Sequence, residues 1–239
     1  MVLEGTIINA LAIVLGGVIG SFLSNIPNKI KTTVIQGIGL AVLVQGVAMG
    51  LKTENFLIVI ISLVFGGVIG ELLKIEDRLN GLGSWIEGKV KVSAKGESSI
   101  AIAFVTATLV YTIGAMAIIG ALNSGLMLDH SLLYLKAMLD GFSAIIFAST
   151  LGIGVVFSAI PVLVYQGTIA ILARYINVLV NQELLDAMIL EITATGGLLI
   201  IAIAINIMDL KKVNVANMLP AVLIAPLGVI VIEFIRSVF

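Results

Sequence analysis

Long, uninterrupted apolar runs are the feature that most restricts how this chain can fold. Several runs approach the roughly twenty residues that a helix needs to cross the hydrocarbon core of a bilayer. Only 11% of the 239 residues are charged, whereas soluble domains carry about 25%. A water-soluble surface cannot be built from so few charges over a chain of this length. The chain is therefore predicted to be an integral membrane protein that contacts the lipid bilayer.

The apolar runs are continuous rather than alternating, which favours spanning helices over a β-barrel. Helices also satisfy their own backbone hydrogen bonds, for which lipid offers no partners. We expect an all-α polytopic transmembrane helical bundle of about seven or eight spans, forming a single integral membrane domain over 1–239. The "SAIP" break at 158–161 is the weakest, because Pro161 could instead kink one long helix and reduce the count to seven. The eight predicted spans are 5–24, 31–51, 56–73, 99–121, 133–158, 161–180, 187–208 and 217–236.

Lysine and arginine are distributed unevenly between alternate loops, and this distribution predicts the orientation. One set of loops holds nine of them, Lys29, Lys31, Lys74, Arg78, Lys89, Lys91, Lys95, Lys211 and Lys212. The other set holds four, Lys52, Lys136, Arg174 and Arg236. The rule places 25–31, 74–98 and 209–216 in the cytoplasm and, with eight spans, both termini outside.

The segment 74–98 is the one substantial polar stretch and is predicted to be cytoplasmic. Within 71–90, apolar residues recur every three or four positions with charges between them: Leu72, Ile75, Leu79, Leu82 and Ile86. This stripe, with Trp85 beside it, favours an amphipathic helix in the headgroup plane. The alternative is a plain solvated loop.

The five letters GGVIG occur twice, at 16–20 and again fifty positions later at 66–70. Each copy places two glycines four residues apart, Gly16 and Gly20 in the first, Gly66 and Gly70 in the second. Such glycines share one helix face and let a second backbone approach closely. We interpret them as helix-packing positions, either within the fold or in a homo-oligomer such as a dimer.

Further short sequence similarities within the chain suggest internal duplication, but they support two different arrangements of the repeats. The pair of regions 31–73 and 187–236 would form an inverted repeat, the symmetry of many secondary transporters. The similarity of 15–37 to 151–167 would instead make the repeats parallel. The two schemes compete, and the sequence leaves both open.

Polar side chains inside predicted spans are the first candidates for a solute or ion pathway, because they are costly in lipid. Amides and hydroxyls beside glycines can coordinate an ion or a small polar solute through their oxygens. The alternative is interhelical hydrogen bonding, worth about 0.6 kcal/mol on average. The candidates are Gln36, Gln45, Gln166, Thr106, Thr108, Thr193 and Thr195.

Acidic residues are the second set of pathway candidates. Asp140 falls within the fifth predicted span, four residues after Lys136, so an ion pair on one helix face is the structural alternative to a transport role. Glu71 follows the second GGVIG at the cytoplasmic end of its span, and Glu191 lies near the outer end of the seventh. Acids at span ends often lie at the interface, which is the structural alternative for these two.

Other kinds of chemistry are disfavoured by the sequence. The chain has no cysteine and a single histidine, His130, in a predicted external loop. No histidine and carboxylate cluster has the spacing of a zinc site, and no GxxxxGK[ST] phosphate-binding loop is present. We therefore expect no enzyme activity, no metal and no cofactor. The net charge of −1 says nothing about a nucleic-acid partner, but the sequence has no basic stripe, and we expect none.

The chain resembles a known family along nearly its whole length. The resemblance is carried by "GTIINALAIVLGGVIG", "IQGIGLAVLVQGVAMGLKTEN", "FVTATLVYTIGAMAIIGALNSGL", "EITATGGLLIIAIAINI" and, most specifically, "FASTLGIGV" with the following "YQG". The family is the uncharacterised bacterial multi-pass inner-membrane family that includes YdfK and YqgA. The resemblance implies a polytopic protein of the bacterial cytoplasmic (inner) membrane and implies no established activity.

Two hypotheses for function remain. The first is a membrane transporter or channel for a small polar solute or ion, either ion-coupled or passive, with a site among the polar spans. The second is a non-transporting membrane scaffold or regulatory subunit that acts through 74–98. The first predicts a hydrated polar site that reaches the intramembrane acids, whereas the second predicts a dry bundle.

Overall fold

The structure is a computed structural model that describes residues 1–23, 28–79, 81 and 100–238. All regular secondary structure in these ranges is helical, so the predicted all-α fold is confirmed. The α-helices are α1 (Glu4–Phe22), α2 (Asn28–Gly50), α3 (Phe56–Leu72), α4 (Ile100–Thr112), α5 (Ala115–Met127), α6 (Ser131–Leu151), α7 (Ala159–Leu179), α8 (Gln182–Ile207) and α9 (Ala221–Val238). Two 3-10 helices, Ile153–Ser158 and Val215–Met218, precede α7 and α9.

The number of candidate spans agrees with the expected bundle. Six helices of the described chain are long and apolar enough to cross a membrane, and α4 with α5 gives a seventh as one bent span. Helix α3 is apolar but has 17 residues, which places it below the length of the others. The eight predicted spans thus correspond to six full helices, one bent pair and one short helix.

The predicted span 99–121 is wrong in its shape. It consists of α4 and α5, which bend by 62° at the break between them. Gly114 lies in this break with a φ of 143°, a conformation that residues with a Cβ rarely adopt. The second part also continues to Met127, past the point where a loop was predicted.

The break predicted at 158–161 is wrong in its position. Helix α6 ends at Leu151, where Gly152 adopts a φ of 101° and cannot continue the helix. The chain then runs through a 3-10 helix directly into α7, so that Ile153–Leu179 forms one 27-residue span. Pro161 does not interrupt α7, because it lies in the first turn, where its missing N–H has no helical acceptor in any case. The alternative of one long kinked element is therefore also excluded.

The predicted interfacial helix lies largely outside the described residues. Residues 75–79 are helical, and residue 80 and residues 82–99 are not described. The amphipathic helix over 71–90 and the cytoplasmic role of 74–98 therefore stay predictions.

The chain packs as two compact units. Unit 1 contains α1, α4, α6, the first 3-10 helix and nearly all of α5 and α7. Unit 2 contains most of α2 together with α3, α8, the second 3-10 helix and α9. Each unit has its own helix crossings and its own buried polar groups.

The first GGVIG copy brings α1 and α6 into backbone contact in unit 1. A Cβ atom at Gly16 would collide with the carbonyl oxygen of Gly141, and one at Gly20 with that of Ile145. Because both residue numbers rise together, the two helices run parallel, as the first and fifth spans of the predicted topology must. Only glycine permits this approach, which maximises van der Waals contact between the two backbones.

The second GGVIG copy also brings two backbone segments into close contact, in unit 2. A Cβ at Gly66 would collide with the backbone of Ala221, and one at Gly70 with the carbonyl oxygen of Asn217. Here the numbers run in opposite directions, so α3 is antiparallel to the segment leading into α9. The two copies therefore pack against non-equivalent partners within their own units. The inverted repeat and the homodimer stay predictions.

We predict that Gly16→Ala and Gly70→Ala each lower the thermal unfolding midpoint, because the added methyl group forces the helices apart. Overpacking of this kind costs about 1–3 kcal/mol. Gly37→Ala is the matched control, since a Cβ there meets nothing within 4 Å and alanine favours a helix by about 1 kcal/mol over glycine. Circular dichroism in detergent measures all three. A midpoint for Gly16→Ala equal to that of Gly37→Ala would contradict the close crossing.

Candidate functional site

Four polar side chains from three helices of unit 1 meet in its interior. They are Asn9 on α1, Lys136 and Asp140 on α6, and Gln166 on α7, and we call them the polar cluster. Their exposed fractions are 0% for Asn9 and Gln166, 6% for Asp140 and 7% for Lys136. Charged side chains and amide side chains are rarely this buried in a membrane helix unless they pair with one another.

The ion pair of the polar cluster is short, and the lysine contacts both carboxylate oxygens. Lys136 Nζ donates to Asp140 Oδ1 at 2.9 Å and to Oδ2 at 2.7 Å. The order along α6 is lysine first and carboxylate four residues later, which is the less favourable order for an isolated helix. Helix stability alone therefore does not explain why these two residues stand at these positions.

The two amides extend the network and have a fixed orientation. Asn9 Nδ2 donates to Asp140 Oδ2 at 3.1 Å and to Gln166 Oε1 at 3.3 Å. The carboxylate requires a donor, so the nitrogen of Asn9 faces it, and Gln166 in turn must present its oxygen. Asn9 Oδ1 and Gln166 Nε2 are then left buried without a partner in the described chain.

Another buried oxygen without a partner lies on the same face of α1 as Asn9. Thr6 is fully buried one turn before Asn9, and its Oγ1 has no partner among the described residues. Residues three apart on a helix are neighbours on its surface. Unsatisfied buried polar atoms cost about 1–3 kcal/mol each, so the free atoms of Asn9 and Gln166 make the polar cluster a candidate binding site.

Ser143 links Tyr111 to the turn of α6 that carries Asp140. Ser143 Oγ lies 3.4 Å from the Tyr111 hydroxyl and 3.0 Å from the carbonyl oxygen of Asp140. Tyr111 is fully buried and stacks on Phe147 with ring centroids 6.2 Å apart. This packing fixes the turn of α6 that carries Asp140.

Two residues of the polar cluster, Asp140 and Gln166, lie near the middle of their helices. Asp140 is close to the centre of α6, Ser131–Leu151, so at 1.5 Å per residue it lies about 15 Å from either end. Gln166 is likewise near the centre of α7, Ala159–Leu179. Binding sites of secondary transporters lie at this depth.

Glu191 has a different environment, in unit 2. Its carboxylate accepts hydrogen bonds from Thr53 Oγ1 at 2.7 and 2.9 Å and from the backbone N–H groups of Glu54 and Asn55, each at 3.1 Å. It is 3% exposed and anchors the loop between α2 and α3 to α8. Both carboxylate oxygens accept hydrogen bonds, which favours a structural role for Glu191.

Glu71 lies at the end of α3 in unit 2 and is exposed. Its carboxylate accepts from Asn217 Nδ2 at 2.6 Å, and Asn217 Oδ1 accepts from the backbone N–H of Glu76 at 2.8 Å. Burial raises the pKa of Glu76 above its ordinary value, opposed by Lys212, whose Nζ lies 3.8 Å away. An open, mostly apolar cavity of about 430 Å³ lies beside Glu71 and is lined by Gly67, Val68, Glu71, Leu72, Asn214, Asn217 and Met218.

The remaining predicted residues are not brought together with Asp140. Gln36 and Gln45 lie on the exposed side of α2. Thr106 is buried on α4, and the half-buried Thr108 on the same helix has a buried Oγ1 without a partner among the described residues. Thr193 and Thr195 are buried on α8 in unit 2, and their hydroxyl oxygens also have no partner among the described residues.

Of the predicted pathway residues, the structure places Asp140 and Gln166 in one network. Asn9 was missed by the sequence analysis. One signal for it exists in the sequence, because Asn9 stands seven residues before Gly16 and so lies on the same face of α1 as the GGVIG glycines. In the described chain, no group of three or more histidines and carboxylates has the arrangement of a metal site.

Comparison with known proteins gives a family and no activity. The model of the family "Protein of unknown function (DUF554)" matches residues 4–230. The chain is 31% identical over 234 residues to "Uncharacterized membrane protein YdfK" of Bacillus subtilis (strain 168), covering 96% of each chain. It is 34% identical over 224 residues to "Uncharacterized protein YqgA" of Escherichia coli (strain K12), covering 92% of this chain and 94% of the relative. No solved structure matches the chain. The resemblance drawn from the sequence is confirmed.

We predict that the two charges of the polar cluster depend on each other. Lys136→Met and Asp140→Asn should each lower stability by about 3–5 kcal/mol, because each leaves the other charge buried and unpaired. The double variant should recover most of this loss. Asp186→Asn is the control, since Asp186 is an exposed carboxylate on α8. Chemical unfolding in detergent gives the change in unfolding free energy for the two single variants, the double variant and the control. Additive losses in the double variant would rule out the pairing.

We predict that Glu191→Ala destabilises unit 2, because the loop donors at residues 53–55 lose their acceptor. Glu191→Gln should have a smaller effect, since its amide oxygen still accepts. Hydrogen bonds to a charged group contribute about 1.5–3 kcal/mol each. Glu183→Ala, at an exposed position near the start of α8, is the control. Hydrogen exchange of the backbone N–H groups at Glu54 and Asn55 reports the effect, and unchanged protection would refute the anchor.

Proposed function

We propose, from the premise that this chain belongs to the DUF554 family of membrane proteins of unknown function, that it is a transporter or channel for a small polar solute or ion. The observation that carries the proposal is the polar cluster. It combines a buried ion pair with two buried amides that keep an unused donor and an unused acceptor. We place the solute path through unit 1 at this cluster.

A purely structural role for the polar cluster is energetically unfavourable. Replacing a buried ion pair by apolar residues of similar volume is often neutral or stabilising, by about 1–4 kcal/mol. A chain under selection for stability alone would keep apolar side chains at Lys136 and Asp140, as it does at most of its buried positions. Ionisable residues that persist inside a membrane protein mark substrate or ion pathways in general.

The same proposal covers location and partners. The unequal distribution of lysine and arginine and the all-helical spans suit the bacterial inner membrane, with the lipid bilayer as the surrounding partner. The proposed partners are a small polar solute or ion and a second copy of the chain, without a nucleic acid, and no enzyme activity is proposed.

The test is solute flux in liposomes. Purified wild-type protein should raise the flux of at least one ion or small polar solute above that of empty liposomes, and Asp140→Asn should reduce it at least tenfold. Asp186→Asn is the control and should keep the wild-type rate, because the residue is exposed and belongs to unit 2.

Absence of flux across a broad panel of ions and solutes would overturn the transport proposal. It would favour the scaffold hypothesis, and the search would turn to partners of 74–98. Flux that Asp140→Asn leaves unchanged would retain transport and remove the polar cluster from the path.

A further inference from the structure

We propose that Asp140 binds a small monovalent cation in exchange for the ammonium group of Lys136. This inference rests on the proposed function and names the class of ion that its site accepts. In the structure, Lys136 holds both oxygens of the carboxylate and thus occupies the place of a bound cation. Lys136 would act as a tethered competitor that fills the site when no ion is bound.

The unpartnered oxygen of the amide that contacts the carboxylate is the first argument for a cation. Hard metal cations are bound by carboxylate, amide and hydroxyl oxygens. Asn9 Oδ1 is buried and without a partner in the described chain, and it belongs to the amide whose Nδ2 donates to Asp140. Together with the carboxylate, this amide oxygen offers ligands of this kind on two helices.

Charge balance is the second argument, and it requires exchange rather than addition. The pair of Lys136 and Asp140 is neutral as it stands. A cation that joined it would leave an uncompensated positive charge in a low-dielectric interior, where such a charge is very costly. One positive charge must therefore leave the carboxylate when another arrives.

The position of Lys136 makes the exchange geometrically reasonable. It lies one turn nearer than Asp140 to the start of α6 at Ser131, so it is closer to the end of the span. Its four-carbon stem lets the ammonium group reach toward the membrane interface while the stem stays in apolar surroundings. A single side-chain movement would thus clear the carboxylate.

A neutral solute is the competing occupant of the polar cluster. It would use Asn9 Oδ1 and Gln166 Nε2 as an acceptor and a donor, and its affinity would depend little on competition from residue 136. The two occupants therefore predict different responses to changes at that position.

The experiment measures the rise in unfolding temperature of the detergent-solubilised full chain with increasing NaCl, LiCl or KCl. Choline chloride keeps the ionic strength constant. A ligand that binds only the folded state raises its stability in proportion to the logarithm of one plus the ratio of ligand concentration to Kd. Wild type should show saturable stabilisation by at least one of these cations and none by choline.

Variants at Lys136 provide the decisive comparison. Lys136→Met removes the competitor, so its apparent affinity for the cation should rise at least tenfold. Lys136→Arg places a permanently charged, bidentate guanidinium on the carboxylate, so its affinity should fall at least tenfold. The second variant keeps the ion pair and so keeps the test valid if the first is unstable. A merely structural lysine would not shift the two affinities in opposite directions.

The remaining variants complete the design. Asp140→Asn, and the double variant Lys136→Met/Asp140→Asn, should lose the saturable effect, and Asp186→Asn should match wild type. No cation-specific stabilisation in wild type or Lys136→Met, or equal affinities in Lys136→Met and Lys136→Arg, would overturn the exchange. Because this assay needs no transport, cation binding without flux would refute the proposed function alone, and flux without cation binding would refute this inference alone.

Discussion

The absence of hydrogen-bond partners in lipid is the constraint on which the rest of this structure depends. Because of it, the regular structure of the described spans is helical. Each polar side chain inside these spans also needs a hydrogen-bond partner from the protein. Glu191 meets this demand fully, with donors from Thr53, Glu54 and Asn55. The polar cluster meets it only in part, and this difference separates a structural carboxylate from the proposed binding site.

Glycine contacts connect the packing of unit 1 to its polar cluster. At the crossing of α1 and α6, Gly16 meets the backbone of Gly141, the residue directly after Asp140. The same face of α1 carries Asn9 two turns earlier, and this crossing brings its amide to the carboxylate. The first GGVIG copy is thus both a packing element and the support of the site, whereas the second copy packs α3 in unit 2.

Much of the fold could be predicted from composition and periodicity. The class of protein, the number of apolar elements and the ends of most helices follow from continuous hydrophobic runs and polar breaks. The bend at Gly114 and the early end of α6 at Gly152 could not be predicted, since each depends on a backbone φ that the surrounding packing selects. A glycine inside an apolar run is compatible with either a continuous helix or a break.

The candidate site could be predicted only in part, and for a related reason. Spacing along one helix pairs Lys136 with Asp140, because residues four apart share a face. The amides of Asn9 and Gln166 come from helices far away in the chain, and no local pattern indicates which helices pack together. For the same reason, Gln36 and Gln45 could not be told apart from Gln166 by sequence, although they lie on an exposed face of α2.

Water access to the polar cluster is the measurement that tests the account most directly. The chain has no cysteine, so Gln166→Cys and Val162→Cys can each be treated with a small, water-soluble thiol reagent in proteoliposomes. Both positions are fully buried and lie one turn apart on α7, so static burial alone predicts equal labelling. The account predicts that the cysteine at position 166 is labelled and that the one at position 162 is not. Equal resistance at both positions would show a dry bundle and contradict a solute path through unit 1.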